Sequence, residues 1–180
     1  MAQAIIQYQG AGMISLMTFE EFEQMPDAPG KQELIDGELI ELPPAKYSHS
    51  IVAERIYFHL RSGAAGARVH HEFGYRIGGG WLQPDVSITR RDQKIDNDYL
   101  IGSPELAVEV LSPGNRSSHI ERKIKLYFAQ GAEEVWVVDP SKRTISICHP
   151  GQDGVLRTVV NDWLQTKYGS ISLAELFAAD

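Results

Sequence analysis

Residues 82–140 decide the fold of this chain, and four segments carry the signal: LQPDVSI at 82–88, LAVEVLSP at 106–113, IERKIKLY at 120–127 and VWVVDP at 135–140. Two carboxylates, Asp85 and Glu109, lie inside segments that otherwise have the composition of buried strands. Such side chains are almost never fully buried without a partner. We therefore expect both to bind a metal or to have cationic partners, and Lys123 is the expected organic partner.

The second, third and fourth segments predict a β-α-β unit. Residues 106–111 form a short strand with apolar side chains on both faces, which is typical of a central strand covered by helices. A capping box from Ser118 to Glu121 predicts a helix that runs to Gln130, before Gly131. Residues 134–139 form the next buried strand. If both strands lie in one sheet, their crossover is right-handed.

The rest of the chain adds hairpins and helices to this unit. We predict a short helix from the capping box at Thr18, a hairpin at 33–40 around Asp36-Gly37, a helix at 48–62, strands at 69–77 and 82–88, a loop at 90–103, a hairpin at 144–160 and a closing helix at 172–177. From residue 48 the core order is α-β-β-β-α-β. The fold class is therefore α/β, a mixed β-sheet flanked by helices with an added N-terminal hairpin and C-terminal hairpin.

Length and composition suggest one domain over residues 1–180, with 1–16 as an N-terminal extension. Apolar residues make up 43% and charged residues 23%, as in ordinary globular proteins. The apolar runs are too short to span a bilayer, and residues 1–13 have no signal-peptide pattern. A single cysteine, Cys148, excludes an intrachain disulfide and a thiolate metal cluster. We expect a cytoplasmic protein with no membrane partner.

The net charge of −7 argues against a protein that coats DNA nonspecifically, because phosphate neutralisation supplies most of that affinity. This net charge is compatible with an enzyme that has a local basic patch. One basic cluster contains Arg116, Arg122, Lys123 and Lys125. The phase of the predicted helix separates two of them: Lys123 borders the apolar side formed by Ile120, Ile124 and Tyr127, whereas Lys125 faces away. Lys123 can therefore lean its stem on the core and direct its ammonium toward the sheet.

The ordered segments resemble the Uma-type restriction endonuclease family, within the PD-(D/E)XK nuclease superfamily. The matching stretches are 17–22, 33–38, 83–86, 108–113, 123–127 and 131–140. Each stretch is weak alone, but the ordered set is specific and covers nearly the whole range 16–178. The resemblance implies a restriction-endonuclease-like fold and a metal-dependent DNA endonuclease. It implies Asp85, Glu109 and Lys123 as catalytic residues, with Asp85 and Glu109 as metal ligands.

The sequence departs from the superfamily pattern at two positions. The superfamily usually carries a lysine two residues after the second acid, where this chain has Leu111. The Uma-type family often moves that lysine to the following helix, which fits Lys123. Family members commonly have an acidic residue one turn before it, and here that position is His119. The chain therefore has no carboxylate at that position.

Phosphodiester hydrolysis explains why these residue types would be needed. The reaction needs a nucleophilic water and relief of charge on phosphate oxygens, and Mg²⁺ (or Mn²⁺) with carboxylate ligands supplies both. A nearby ammonium can stabilise the developing charge. Glu33 or Glu38 could complete the site, although both are as well explained as solvated strand residues. His49 is a further candidate, although a lone histidine in a first helical turn is more often a surface or capping group.

Two other interpretations stay open at the level of sequence. The chain could be a catalytically inactive nuclease-fold protein that binds nucleic acid or a partner protein. It could also be a structural module, in which Asp85, Glu109 and Lys123 form a buried ion network that faces packed side chains. A homodimer is a further expectation, because cutting both DNA strands needs two sites.

Overall fold

The computed structural model describes residues 16–26, 28–64, 66–112, 117–152 and 154–179. Within these ranges the helices are α1 (Phe19–Glu23), α2 (Tyr47–Gly63), α3 (Ser117–Ala129) and α4 (Leu173–Leu176). None of them is long and apolar enough to cross a membrane. The extension expected at 1–16 falls outside the described ranges, apart from Leu16.

The strands of the described chain form two large sheets and one hairpin. Their bounds are β1 (Gln32–Ile35), β2 (Glu38–Glu41), β3 (Arg68–His71), β4 (Tyr75–Ile77), β5 (Gly80–Leu82), β6 (Val86–Thr89), β7 (Lys94–Asp96), β8 (Tyr99–Ile101), β9 (Leu106–Val110), β10 (Glu134–Asp139), β11 (Thr144–Gly151), β12 (Gly154–Val160), β13 (Trp163–Thr166) and β14 (Gly169–Ser172). The first sheet has the order β2-β1-β5-β4-β8-β7, the second sheet has the order β12-β11-β10-β9-β6-β3, and β13 pairs with β14.

The predicted β-α-β unit is confirmed. Strands β9 and β10 are parallel, with Glu109 opposite Val137, and α3 connects them. Strand β9 is central, because β6 pairs with its other edge. Side chains alternate across a strand, so Leu106, Val108 and Val110 share one face while Ala107 and Glu109 share the other.

This alternation decides where the Glu109 carboxylate goes. One apolar core cluster joins Val108 and Val110 to α2 and α4. The other joins Ala107 to Ile120, Ile124 and Tyr127 of α3 and to side chains of the first sheet. Glu109 therefore points into the layer that contains α3, and the second sheet has helices packed on both faces.

The predictions of single strands at 69–77 and 82–88 are wrong in one respect. Each range divides into two strands, and the two strands belong to different sheets. The chain leaves β3 and enters β4 near Gly74, and it leaves β5 and enters β6 near Pro84. A Cβ atom at Gly74 would lie 1.8 Å from the indole of Trp81. Proline cannot donate to a sheet ladder, so Pro84 interrupts the pairing. Asp85 follows directly, at the junction of the two sheets.

Three further predictions need correction. The loop predicted at 90–103 contains the hairpin β7–β8, whose turn places Asn97 and Asp98 at positive φ. Helix α2 begins at Tyr47, one residue before the predicted start, and it has no side-chain cap. Helix α3 already includes Ser117, so Ser118 lies inside it and does not cap it. The hairpin β13–β14 was not predicted.

Other local predictions are confirmed. Thr18 and Glu21 form the predicted capping box at the start of α1. Asp36 and Gly37 both have positive φ in the turn between β1 and β2, as a type I′ turn requires. The C-terminal hairpin predicted at 144–160 is β11–β12. Ser172 caps the closing helix by accepting from the Glu175 amide.

Candidate active site

Asp85 is a buried carboxylate that accepts hydrogen bonds from three directions. Its Oδ1 lies 3.0 Å from the Lys31 ammonium, and its Oδ2 lies 3.2 Å from His49 Nε2. The amide of Val110 donates to the same Oδ2 at 2.7 Å. The Asp85 amide in turn donates to the Val108 carbonyl, which ties this junction to β9.

These contacts favour the ionised form of Asp85. Burial alone would raise its pKa, but the charge of Lys31 and the hydrogen bond and charge of His49 outweigh burial and hold the pKa well below the usual range. The same pairing acts on its partners. Burial would lower the pKa values of His49 and Lys31, but attraction to Asp85 raises both. Asp85 is therefore an anion at any pH at which the protein would work.

Glu109 belongs to a second group of contacts, centred on the Lys123 ammonium. Lys123 Nζ lies 2.6 Å from Glu109 Oε2 and 2.8 Å from Glu33 Oε1. The Tyr127 hydroxyl donates to Glu109 Oε1 at 2.7 Å. The backbone amide of Gln83 donates to Glu33 Oε1 at 2.9 Å, which orients the Glu33 carboxylate. The side chains of Lys123, Glu33 and Glu109 are all at most 4% exposed.

The carboxylates of the second group have less positive charge beside them than Asp85 has in the first group, because Glu109 and Glu33 share the Lys123 ammonium. Burial raises the pKa of Glu109 and outweighs the attraction to Lys123 that would lower it, and repulsion from Glu33 and Asp85 also raises it. Burial would lower the pKa of Lys123, but Glu109, Glu33 and Asp85 together raise it. Burial and the Glu109 charge likewise raise the pKa of Tyr127. The site therefore concentrates negative charge around one buried ammonium.

Both groups lie on the wall of one open cleft of about 550 Å³ between the sheets, α2 and α3. Asp85, Glu109 and Lys123 all contribute to its lining, as do Lys31, Glu33 and His49. Glu38, Glu41 and Glu72 also line the cleft, so acidic side chains outnumber lysines there. These carboxylates therefore border one cleft, although the side chains of Asp85 and Glu109 are at most 5% exposed.

The other predicted positions lie nearby with different partners. Glu38 lines the cleft, but its carboxylate is 2.6 Å from Arg122 Nη1, and Arg122 also contacts Asp36. His119 lies on the cleft wall. Leu111 packs against the second core cluster, and its amide donates to the Val138 carbonyl.

Lys31 and Tyr127 were not predicted as site residues. Tyr127 could have been predicted from the sequence, because it lies one turn after Lys123 on the predicted inward face of α3. Lys31 could not have been predicted in this way, because it lies outside any predicted element and 54 residues from Asp85. The pairing of β1 with β5 and the Gln83–Glu33 hydrogen bond bring the two segments together.

The carboxylates suit a hard divalent cation. Asp85 and Glu109 offer oxygen ligands on one cleft wall, and Mg²⁺ is commonly held by one or two carboxylates together with water and substrate phosphate. Among the residues that the structure describes, no group of three or more His, Cys, Asp or Glu side chains is arranged to hold a metal. The fit is therefore to a site with two protein carboxylates and not to an all-protein cage.

Proton titration of His49 tests the Asp85 pairing directly. In EDTA-treated protein, we expect the His49 ring to stay protonated to higher pH than His59 and His70, because burial lowers the pKa values of those two. The raised pKa means that the pairing stabilises the fold fully below the ordinary histidine range and is lost as pH rises through the folded pKa. Histidine NMR signals followed against pH measure this.

An Asp85→Asn variant is the control for that titration. Removing the carboxylate charge should bring the His49 pKa down toward the values of the other two histidines. A His49 ring that titrates at the same pH in both proteins would show that Asp85 does not hold it.

Comparison with known proteins supports the architecture. The model of the Uma2 family, described as "Putative restriction endonuclease", matches residues 19–177. A crystal structure of "a putative nuclease belonging to DUF820" from Anabaena variabilis superposes with a TM-score of 0.77 at 21% identity and covers 89% of this chain and 97% of its own. No curated protein matches. The superposition confirms the restriction-endonuclease-like α/β fold, and the family match over most of the sequence means that the chain belongs to the Uma2 family.

Proposed function

We propose that this protein is a metal-dependent endonuclease that hydrolyses phosphodiester bonds in DNA, with Asp85, Glu109 and Lys123 as its catalytic residues. The observation that carries the proposal is the convergence of two buried carboxylates and one buried ammonium on an open cleft. Membership of a family described as "Putative restriction endonuclease" supports the reaction class. The Anabaena protein, which is described as "a putative nuclease", is consistent with it.

Asp85 and Glu109 would hold the Mg²⁺ or Mn²⁺ ion. When bound, such an ion makes water a better nucleophile and offsets charge on phosphate oxygens. The protein's own contribution is to orient the ligands: Val110 and His49 hold Asp85 Oδ2, and Tyr127 holds Glu109 Oε1. The excess of acidic side chains in the cleft would repel a bare phosphodiester, which is a further reason to expect a metal requirement.

Lys123 would supply the positive charge of the reaction. Its ammonium is positioned by Glu109 and Glu33 on the wall of the cleft. From there it can donate to a phosphate oxygen or to the attacking water, and it can stabilise charge that develops in the transition state. Glu33 acts in this proposal by orienting Lys123, whereas Glu38 is assigned to the Arg122 pair and not to the reaction.

The proposal predicts cleavage of DNA only when a divalent cation is present. Supercoiled, linear and single-stranded DNA should be incubated with Mg²⁺, Mn²⁺ or EDTA, and products resolved on gels. Asp85→Ala should reduce the rate by at least about 10²–10³-fold, because it removes a ligand and a buried charge. Equal cleavage in EDTA, or by the Asp85→Ala protein, would contradict the proposal.

A second candidate, from another class, is a protein of this fold that binds nucleic acid or a partner protein without cleaving it. The observation that favours it is that both oxygens of Asp85 and of Glu109 already accept hydrogen bonds from protein groups. A folded protein that binds no divalent cation would support this candidate. The expected homodimer stays a prediction that belongs to the endonuclease proposal.

A further inference from the structure

The cleft contains a second ammonium, Lys31, that belongs to none of the expected catalytic groups. Lys31 lies between Gly30 and the first residue of β1, outside any helix or strand. Its Nζ lies 3.0 Å from Asp85 Oδ1, and its side chain is 19% exposed. Asp85 Oδ1, which a metal ion would use as a ligand, is therefore already paired with the Lys31 ammonium.

The two lysines of the cleft differ in how firmly they are held. Lys123 comes from the middle of α3, is 3% exposed and contacts two carboxylates. Lys31 comes from a connecting segment and contacts Asp85, with a stem that is part-exposed. Because the Lys31 side chain is 19% exposed and starts from a connecting segment, its ammonium can leave Asp85 with less repacking than that of Lys123, which is 3% exposed on α3.

Charge balance gives Lys31 a reason to leave. Asp85, Glu109 and Glu33 are already paired with the ammonium groups of Lys31 and Lys123 and with the His49 ring. A divalent cation at Asp85 and Glu109 would add two positive charges beside these groups, and like charges close together in a partly buried site repel strongly. Departure of the Lys31 ammonium from Asp85 would relieve this repulsion.

We propose that Lys31 is an internal competitor of the divalent cation: its ammonium occupies Asp85 Oδ1 in the metal-free protein and moves toward solvent when the cation binds. This inference rests on the proposed function, because it assumes a metal site at Asp85 and Glu109. Lys31 thereby sets the cation concentration at which the site fills. Because Lys31 lines the cleft, an incoming phosphate would be a suitable new partner for the displaced ammonium.

The test is the affinity of metal-free protein for Mn²⁺, measured by electron paramagnetic resonance or calorimetry, with no substrate present. Lys31→Met should bind Mn²⁺ about tenfold more tightly than the wild-type protein, which corresponds to about 1.4 kcal/mol. Lys46→Met is the matched control, because Lys46 is an exposed residue next to the cleft residue Ala45 and its loss removes the same charge. Its affinity should stay within about threefold of the wild type.

Asp85→Asn locates the binding measured in these titrations, because it should abolish Mn²⁺ binding. Wild-type and Lys31→Met proteins that bind equally, with Asp85→Asn binding lost, would overturn the role of Lys31 and leave the endonuclease proposal intact. No Mn²⁺ binding by any protein would overturn both. If Lys31→Met does not fold, Lys31→Gln keeps a polar donor without the charge, and the rise in melting temperature with Mn²⁺ should exceed that of the wild type.

Discussion

Lys123→Ala is expected to reduce the rate of DNA cleavage by about 10²–10³-fold, while Lys125→Ala keeps most of the activity. Lys123 Nζ is buried between Glu109 and Glu33 on the cleft wall, whereas Lys125 is exposed on the other side of the same helix. Both substitutions remove one positive charge from α3. The pair therefore separates a local role in the reaction from a general effect of charge.

Loss of Lys123 also removes a buried ion pair, so stability must be measured beside activity. Leaving buried carboxylates unpaired typically costs about 3–5 kcal/mol, and cleavage should be assayed well below the melting temperature of the variant. Mn²⁺ affinity should be kept or increased, because the carboxylates lose a competing cation. Lys123→Arg should restore little activity, because a planar guanidinium does not replace a point charge in a tight site. Equal activity of the two alanine variants would show that Lys123 has no part in the reaction.

The convergence of the catalytic candidates could be predicted because it depends on two short-range periods. Alternation along β9 turns Glu109 away from the face that carries Val108 and Val110. The 3.6-residue period of α3 puts Lys123 beside Ile120 and Tyr127, on the inward side. Each pattern lies within one element. Because β9 and β10 pair in parallel and α3 connects them, the Glu109 face of β9 meets the inward side of α3.

What could not be predicted depends on where the chain changes sheets. The alternation of apolar residues continues through Gly74 and Pro84, so each run looks like one strand although it contributes to both sheets. The exposed side chains of β7 give no alternation at all, which is why that hairpin looked like a loop. The pairing of β1 with β5 brings Lys31 near Asp85, and no local sequence pattern indicates this long-range contact.

Glu109→Gln should abolish measurable cleavage and leave the melting temperature at neutral pH unchanged or raised. The amide is a poorer ligand than carboxylate for Mg²⁺, so Mn²⁺ affinity should fall with the activity. Stability should not fall, because the pKa of Glu109 is raised by burial and by Glu33 and Asp85 despite Lys123. A raised folded pKa means that the fold favours the neutral side chain, and glutamine resembles that form in shape and charge.

The direction of the change in melting temperature depends on pH. For the wild type, the contribution of Glu109 to stability is most favourable below the ordinary glutamate pKa of 4.5 and declines as pH rises through the raised folded pKa. The melting temperature of Glu109→Gln relative to the wild type should therefore increase from acid to neutral pH. Lys123 keeps Glu33 as a partner, and the Tyr127 hydroxyl can accept from the new amide as well as donate. A variant that melts well below the wild type at neutral pH would make Glu109 a structural ion-pair residue and remove the main support for its role as a metal ligand.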